Sequence, residues 1–111
     1  MVIVSDTSII TNLIQIGELS LLKKIFGKVQ IPTKVYHELQ KLPNQLRLID
    51  SVDWIAVVSI EDLSLFNELI QYLDPGEAEA IVLALETKAG LLLIDERKGR
   101  RIAKEYGILI T

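Results

Sequence analysis

The chain has 111 residues, a formal net charge of -3 and a pI near 5.1; 50% of the residues are apolar and only 5% aromatic. That suffices for one domain with a core of Ile, Leu, Val and Ala and is too little for two. The absence of cysteine excludes disulfides, thiolate metal sites and cysteine nucleophiles, and the acidic balance excludes a uniformly basic nucleic-acid coat.

In chain order, the first apolar run of strand character is 2–4, and it ends abruptly on Asp6. Ile9, Leu13 and Ile16 then repeat at helical spacing, and Leu19, Leu22 and Ile25 continue as a second short helix beyond Gly17. Residues 29–31 form the next strand. Pro32 and Thr33 open a helix carrying Val35, Leu39 and Leu42, which Pro43 is expected to close. Trp54 leads into the strand 55–58 as a packing residue. A helix over 62–73 places Leu63, Phe66 and Ile70 on one face.

Asp74-Pro75-Gly76-Glu77 starts the most clearly marked helix, with Asp as cap, Pro at the first helical position and Glu three residues after the cap. Gly90 is expected to stop it. The strand 91–94 runs into Asp95, a helix begins near Glu96 and ends at Gly107, and 108–110 reads as a last strand. Strands alternating with helices predict parallel βαβ units and a doubly wound α/β sheet of about five strands in a single domain over 1–111. A strand at Thr111 with no helix after it predicts an uncovered sheet edge, which a second copy of the chain would cover. No basic-then-apolar leader occurs at the start, and no run reaches the roughly 18 apolar residues of a membrane span, so the expected setting is the cytoplasm.

VIVSD and LLLID each deliver an aspartate to the carboxyl end of a strand, which is where open parallel sheets bind ligands. If those strands are neighbours, roughly 4.8 Å apart, Asp6 and Asp95 can share a ligand. Carboxylates gathered there repel one another, and a hard cation such as Mg2+ or Mn2+ relieves the repulsion. Glu38 in VYHEL and Glu77 in PGEAEAI, each near a helix start, are the candidates to join them. Each also has an ordinary role: Asp6 and Asp95 as helix N-caps, Glu77 in a capping box with Asp74, Glu38 as a solvated helix residue.

The chain resembles the PIN domains, in particular those of the VapC toxin type and their prokaryotic relatives. The resemblance rests on VSDTSIITNLIQIGEL, IPTKVYHEL, LDPGEAEAIVLALETKAGLLLIDERKGRRIA and GILIT, and so spans essentially the whole chain. It implies a Rossmann-like fold and a metal-dependent ribonuclease, with Asp6, Glu38, Glu77 and Asp95 holding Mg2+ or Mn2+. Ser8 matches a hydroxyl or amide position that supports the first acid. Glu96 competes with Asp95 for the fourth place, and Glu79 competes with Glu77, about 200 degrees around the helix from it. The resemblance also implies an RNA substrate, an antitoxin partner and a homodimer. Family members usually continue past the strand that ends here at Thr111, commonly with further helices, so the usual C-terminal extension is expected to be lacking.

Arg97, Lys98, Arg100 and Arg101, followed by Lys104, lie directly after Asp95 and can hold substrate phosphates, or simply form a solvated helix face. His37 reads as a surface or interface residue. Neither G-x-G-x-x-G nor a Walker pattern occurs, which argues against nucleotide cofactors. Two rivals to a ribonuclease stay open. One is a catalytically silent PIN-like module that binds a partner protein or RNA. The other is a Mg2+-dependent phosphatase or receiver-like domain, for which VSDTS lacks the Asp-x-Asp-x-Thr nucleophile pattern.

Overall fold

The structure is a computed structural model that describes residues 1–111. Strands β1 (Ile3–Ser5), β2 (Val29–Pro32), β3 (Ile55–Val58) and β4 (Leu91–Leu93) form one all-parallel sheet in the order β3-β2-β1-β4. Helices α1 (Thr7–Gln15) and α2 (Ser20–Phe26) connect β1 to β2, and α3 (Thr33–Leu39) and α4 (Pro43–Ser51) connect β2 to β3. The crossover from β3 to β4 contains α5 (Leu63–Leu69) and α6 (Pro75–Glu86), and α7 (Arg97–Glu105) follows β4. This is the predicted Rossmann-type α/β architecture. No helix is long and apolar enough to cross a membrane.

Period-2 alternation along the strands divides the core in two. Ile3, Val29, Ile31 and Leu93 pack with Ile10, Leu22, Val35, Leu39, Ile49 and Trp54 from the connections flanking β2. Val4, Leu92 and Ile94 pack on the other side with α6, Leu69 and Leu73, and Ile102 and Ala103 of α7. Helix α6 is buried nearly all round, which explains its run of Ala and aliphatic residues.

Several local expectations are corrected. Pro43 does not merely close a helix: α3 ends at Leu39, and Pro43 occupies the first turn of α4, where its missing N–H costs nothing. That helix buries only Gln45 and Ile49, too sparse a stripe to stand out in the sequence. On α5 the buried residue is Leu69, followed by Leu73, while Leu63 and Ile70 are exposed, so the helix is rotated away from the predicted face. Helix α6 ends at Glu86 rather than Gly90, with Lys88 taking the left-handed turn at φ 50°. Gly90 instead lacks a side chain where the Met1 side chain packs. Of the expected last strand only Ile110 pairs, through a single parallel bridge to Leu92.

Candidate active site

The sheet order makes β1 the pivot of the fold: the chain runs outward through β2 and β3, then returns to place β4 on the other side of β1. The crevice between β1 and β4 is therefore the topological switch point. Their register pairs Ser5 with Leu93, so Asp6 and Asp95 emerge side by side just beyond the strands.

Asp6 is 1% exposed. Its Oδ1 accepts from the Ile9 N–H at 3.0 Å, capping α1, and its Oδ2 accepts from the Asp95 N–H at 3.1 Å, tying the two strand ends together. Burial raises its pKa above the usual carboxylate range. The two backbone donors partly oppose that rise, and the charges of Asp95 and Glu38 add to it. Capping and gathering of charge thus fall on the same side chain. Asp95 is exposed and does not cap α7, because Glu96 does so, its Oε2 accepting from the Gly99 N–H at 2.9 Å. Those amide donors at the start of α7 hold the Glu96 pKa below its ordinary value.

Glu77 is not used in a capping box. Asp74 makes no side-chain cap bond, and the Glu77 Oε2 is buried without a hydrogen-bond partner. Burial first, then repulsion from Glu96, Asp74 and Asp6, pushes its pKa up to about 7. Glu38, on α3, accepts from the Thr7 hydroxyl and presses against the backbone of α6 at Gly76. Ser8, the hydroxyl expected to support Asp6, is exposed, and a different hydroxyl, that of Thr7, donates to Glu38.

Two glycines make room for these acids. A Cβ at Gly76 would collide with the Glu38 carboxylate, and a Cβ at Gly99 would lie 2.9 Å from Glu77 Oε2 and 2.8 Å from Ile94 Cδ1. Both glycines sit inside helices, where Gly is otherwise unfavourable by up to about 1 kcal/mol. Gly76→Ala is accordingly expected to destabilise the native sequence and to be tolerated in a Glu38→Ala background, the two effects differing by about 1 kcal/mol in a double-mutant cycle of urea melts. Equal effects in both backgrounds would show that Glu38 does not occupy this place.

Glu79 has a different duty from Glu77. It is 7% exposed, and its Oε1 accepts from the Lys34 N–H at 2.8 Å, satisfying the first turn of α3 from across the α3–α6 contact. The Tyr36 hydroxyl donates to Asp50 at 2.8 Å and ties α3 to α4. Together these bonds fix the helix that presents Glu38. Glu79→Ala is expected to cost about 2–3 kcal/mol by leaving a backbone donor unsatisfied, with Glu79→Gln costing roughly half as much because its carbonyl still accepts. Indistinguishable melting curves for all three proteins would refute this role.

On α7, Arg97, Arg101 and Lys104 are exposed and join Asp95 and Arg100 around a concavity of about 390 Å3 lined by charged residues alone. Arg100 is partly committed, its Nη1 donating to the Ile94 carbonyl at 2.9 Å and also to the Thr111 carbonyl. Lys98 lies over the Tyr72 ring, 5.8 Å from its centroid. His37 is exposed beside Glu38, and Trp54 is core.

The donor set around Asp6 consists entirely of oxygens, as a hard cation requires. No three of the acids stand in an arrangement that could hold a metal ion between them as they are. A cation that keeps several waters fits such an open set, and the buried, partnerless Glu77 oxygen is the kind of atom it would satisfy. Thr7, Asp74, Gly76 and Gly99 adjoin these acids as well, and no sequence motif assigns them there. The legible signal was glycine inside two otherwise helical segments, each within a few residues of an acid in the sequence or across the helix contact.

A search among curated proteins finds no significant match. Against sequence profiles of known families, residues 2–111 match the PIN domain, a nuclease fold whose members typically use divalent metals. With that match running over the whole sheet, the switch-point crevice and every acid around Asp6, the chain belongs to the PIN domain family.

Proposed function

We propose that the protein is a metal-dependent endoribonuclease whose cation is held by Asp6, Glu38, Glu77 and Asp95, with Glu96 beside Glu77 as an alternative contact. The observation that carries this reading is the collection of acidic side chains around a nearly fully buried Asp6 at the switch point, where Asp6 and Glu77 both have raised pKa values through burial and mutual repulsion. Glu77 Oε2 is buried without a donor in hydrogen-bond geometry, and Glu77 faces another acid, Glu96, a contact that a cation would relieve. When bound, Mg2+ or Mn2+ supplies Lewis acidity, polarising the phosphate, acidifying water and offsetting charge on the leaving 3′ oxygen.

The protein's own groups do the positioning. The backbone amides of Ile9 and Asp95 fix Asp6, Thr7 steadies Glu38, and Gly76 and Gly99 let Glu38 and Glu77 approach. Arg97, Lys98 and Arg101 supply positive charge to the phosphates of an RNA strand, locally reversing the acidic balance of the whole chain. Arg100 can add to them through the nitrogens it does not donate to Ile94 and Thr111. An antitoxin that blocks this crevice, and a second copy of the chain seated on exposed apolar residues such as Ile16 and Ile25, complete the reading.

The test is cleavage of a mixed panel of single-stranded and hairpin RNAs by the purified protein with Mn2+, with EDTA, and in the Asp6→Asn variant. Cleavage confined to the native protein with metal supports the proposal. A native protein that binds RNA or a partner protein but cuts nothing would favour the silent module.

A further inference from the structure

Next to the acidic crevice lies a second concavity, of about 270 Å3, between the end of α5 and the outer face of α7. Its walls combine two tyrosines, Tyr72 and Tyr106, two cations, Lys98 and Arg101, and two carboxylates, Glu68 and Glu105, over a floor that includes the apolar Leu69 and Ile102. Tyr72 is 56% exposed and Tyr106 40% exposed, so both rings offer free surface. The concavity shares two lining residues with the acid site: Tyr72 and Lys98 also line the adjoining hollow that contains Asp74, Glu77 and Glu96.

We infer that this concavity receives one unpaired nucleobase of the RNA strand whose backbone crosses the acid site, with Tyr72 as its stacking platform and Glu68 and Glu105 reading its edge. The inference rests on the ribonuclease reading and adds a specificity subsite to it.

The chemistry of the walls distinguishes base from backbone. A phosphate inside the concavity would meet Lys98 and Arg101 but also Glu68 and Glu105, whose charges offset them, whereas a planar base can pack on the tyrosines and on the apolar Leu69 and Ile102. Lys98 stands over Tyr72 at the boundary with the acid site, where it can neutralise the phosphate joining the stacked nucleotide to the one being cleaved. Carboxylates only accept hydrogen bonds, so they favour the exposed amino groups of adenine, cytosine and guanine over uracil, whose one edge donor, N3–H, is flanked by two carbonyl oxygens that repel a carboxylate. Trp54, the one tryptophan, is core and offers no base platform. The folded chain brings Tyr72 and Tyr106 together from segments more than thirty residues apart.

The experiment compares the native protein, Tyr72→Ala and Tyr72→Phe on short single-stranded oligo-A, oligo-C and oligo-U RNAs with Mn2+. It records steady-state cleavage and, in EDTA, fluorescence-anisotropy binding. Tyr72 is largely solvent-facing, and thermal melting checks that both variants stay folded. Expected are tighter binding of oligo-A and oligo-C than of oligo-U, a rise of about tenfold in Kd and KM for Tyr72→Ala with kcat at saturation nearly unchanged, and near-native values for Tyr72→Phe. Replacing Glu68 and Glu105 by Gln together is expected to narrow the gap between oligo-C and oligo-U.

If the native protein cuts RNA and Tyr72→Ala cuts it with the same KM and base preference, the subsite is wrong and the ribonuclease stands. If the native protein neither binds nor cuts any of the RNAs, both readings fall together.

Discussion

Asp6→Asn is expected to reduce metal-dependent RNA cleavage by about a hundredfold or more while moving the melting temperature by only a few degrees. The first half follows from its place: Asp6 is the acid whose charge is felt from Asp95, Glu38 and Glu77, and even outer-shell changes at metal centres cost about 10–100-fold. The second half follows from two opposed terms. Asn keeps one oxygen, enough to accept from either Ile9 or Asp95, but its amide nitrogen then faces the other N–H, a donor against a donor at a bond of 3.0 or 3.1 Å in the native protein. Such an unsatisfied pair costs about 1–3 kcal/mol. Against it, removing a charge held in a buried place among other carboxylates is favourable. Helix capping is nearly unaffected, since Asn and Asp cap about equally well. Mn2+ should raise the melting temperature of the native protein and have little effect on the variant, by linkage. Native-like cleavage by a purified, folded Asp6→Asn protein would remove Asp6 from the active site.

The parts of this protein that were legible in the sequence are those set by short-range grammar. VIVSD and LLLID read as buried strands ending in acids because a parallel strand covered on both faces is uniformly apolar, so a charge in that text marks its end. Their adjacency could be stated only as a condition, since strand order is a long-range property; the return of the chain from β3 to β4 supplied it. The same limit explains Glu79. In the text it is an acid two residues after Glu77. In the fold it is a buried cap for α3, forty-five positions earlier at Lys34, a partnership that no local pattern encodes.

Where local patterns misled, a competing physical role had the same signature. Proline both ends helices and begins them, and Pro43 did the latter. The Asp74–Glu77 spacing is a capping box in sequence, yet neighbouring acids take Glu77 away from that bond. The pair Asp95-Glu96 could not be separated by spacing. The structure divides the work, with Glu96 capping α7 and standing beside Glu77, and Asp95 standing beside Asp6 with its side chain free of capping. The glycines carry the converse lesson: a residue of no chemistry, placed in a helix that would prefer another, records where an acidic side chain from elsewhere fits.

Glu77→Gln is expected to stabilise the metal-free protein above pH 7 and to abolish most of its response to Mn2+. Glu77 has its pKa raised from 4.5 to about 7, so the folded state binds its proton more tightly than the unfolded chain. Below pH about 4.5 both states carry the proton and the contribution to stability is complete. Between about 4.5 and 7 only the folded state keeps it, fewer protons are bound on unfolding, and stability falls as pH rises, the loss being complete above about 7. Asp6, also raised, acts in the same direction. Glu96, lowered, acts oppositely but mostly below pH 4.5, outside this window. The Glu77 carboxylate is half-buried, and solvent screening reduces the full effect of its shift to on the order of 1–2 kcal/mol. In a domain of this size that is roughly 4–8 °C in melting temperature. Gln removes the titration and the repulsion from Glu96, Asp74 and Asp6 but retains a polar side chain. The difference in melting temperature between variant and native protein should therefore be near zero at pH 4.5, grow through neutrality and level off above it. Mn2+ should close the gap by stabilising only the native protein. A difference that is flat with pH would mean that Glu77 is not held among repelling carboxylates, and the cation site would have to be sought without it.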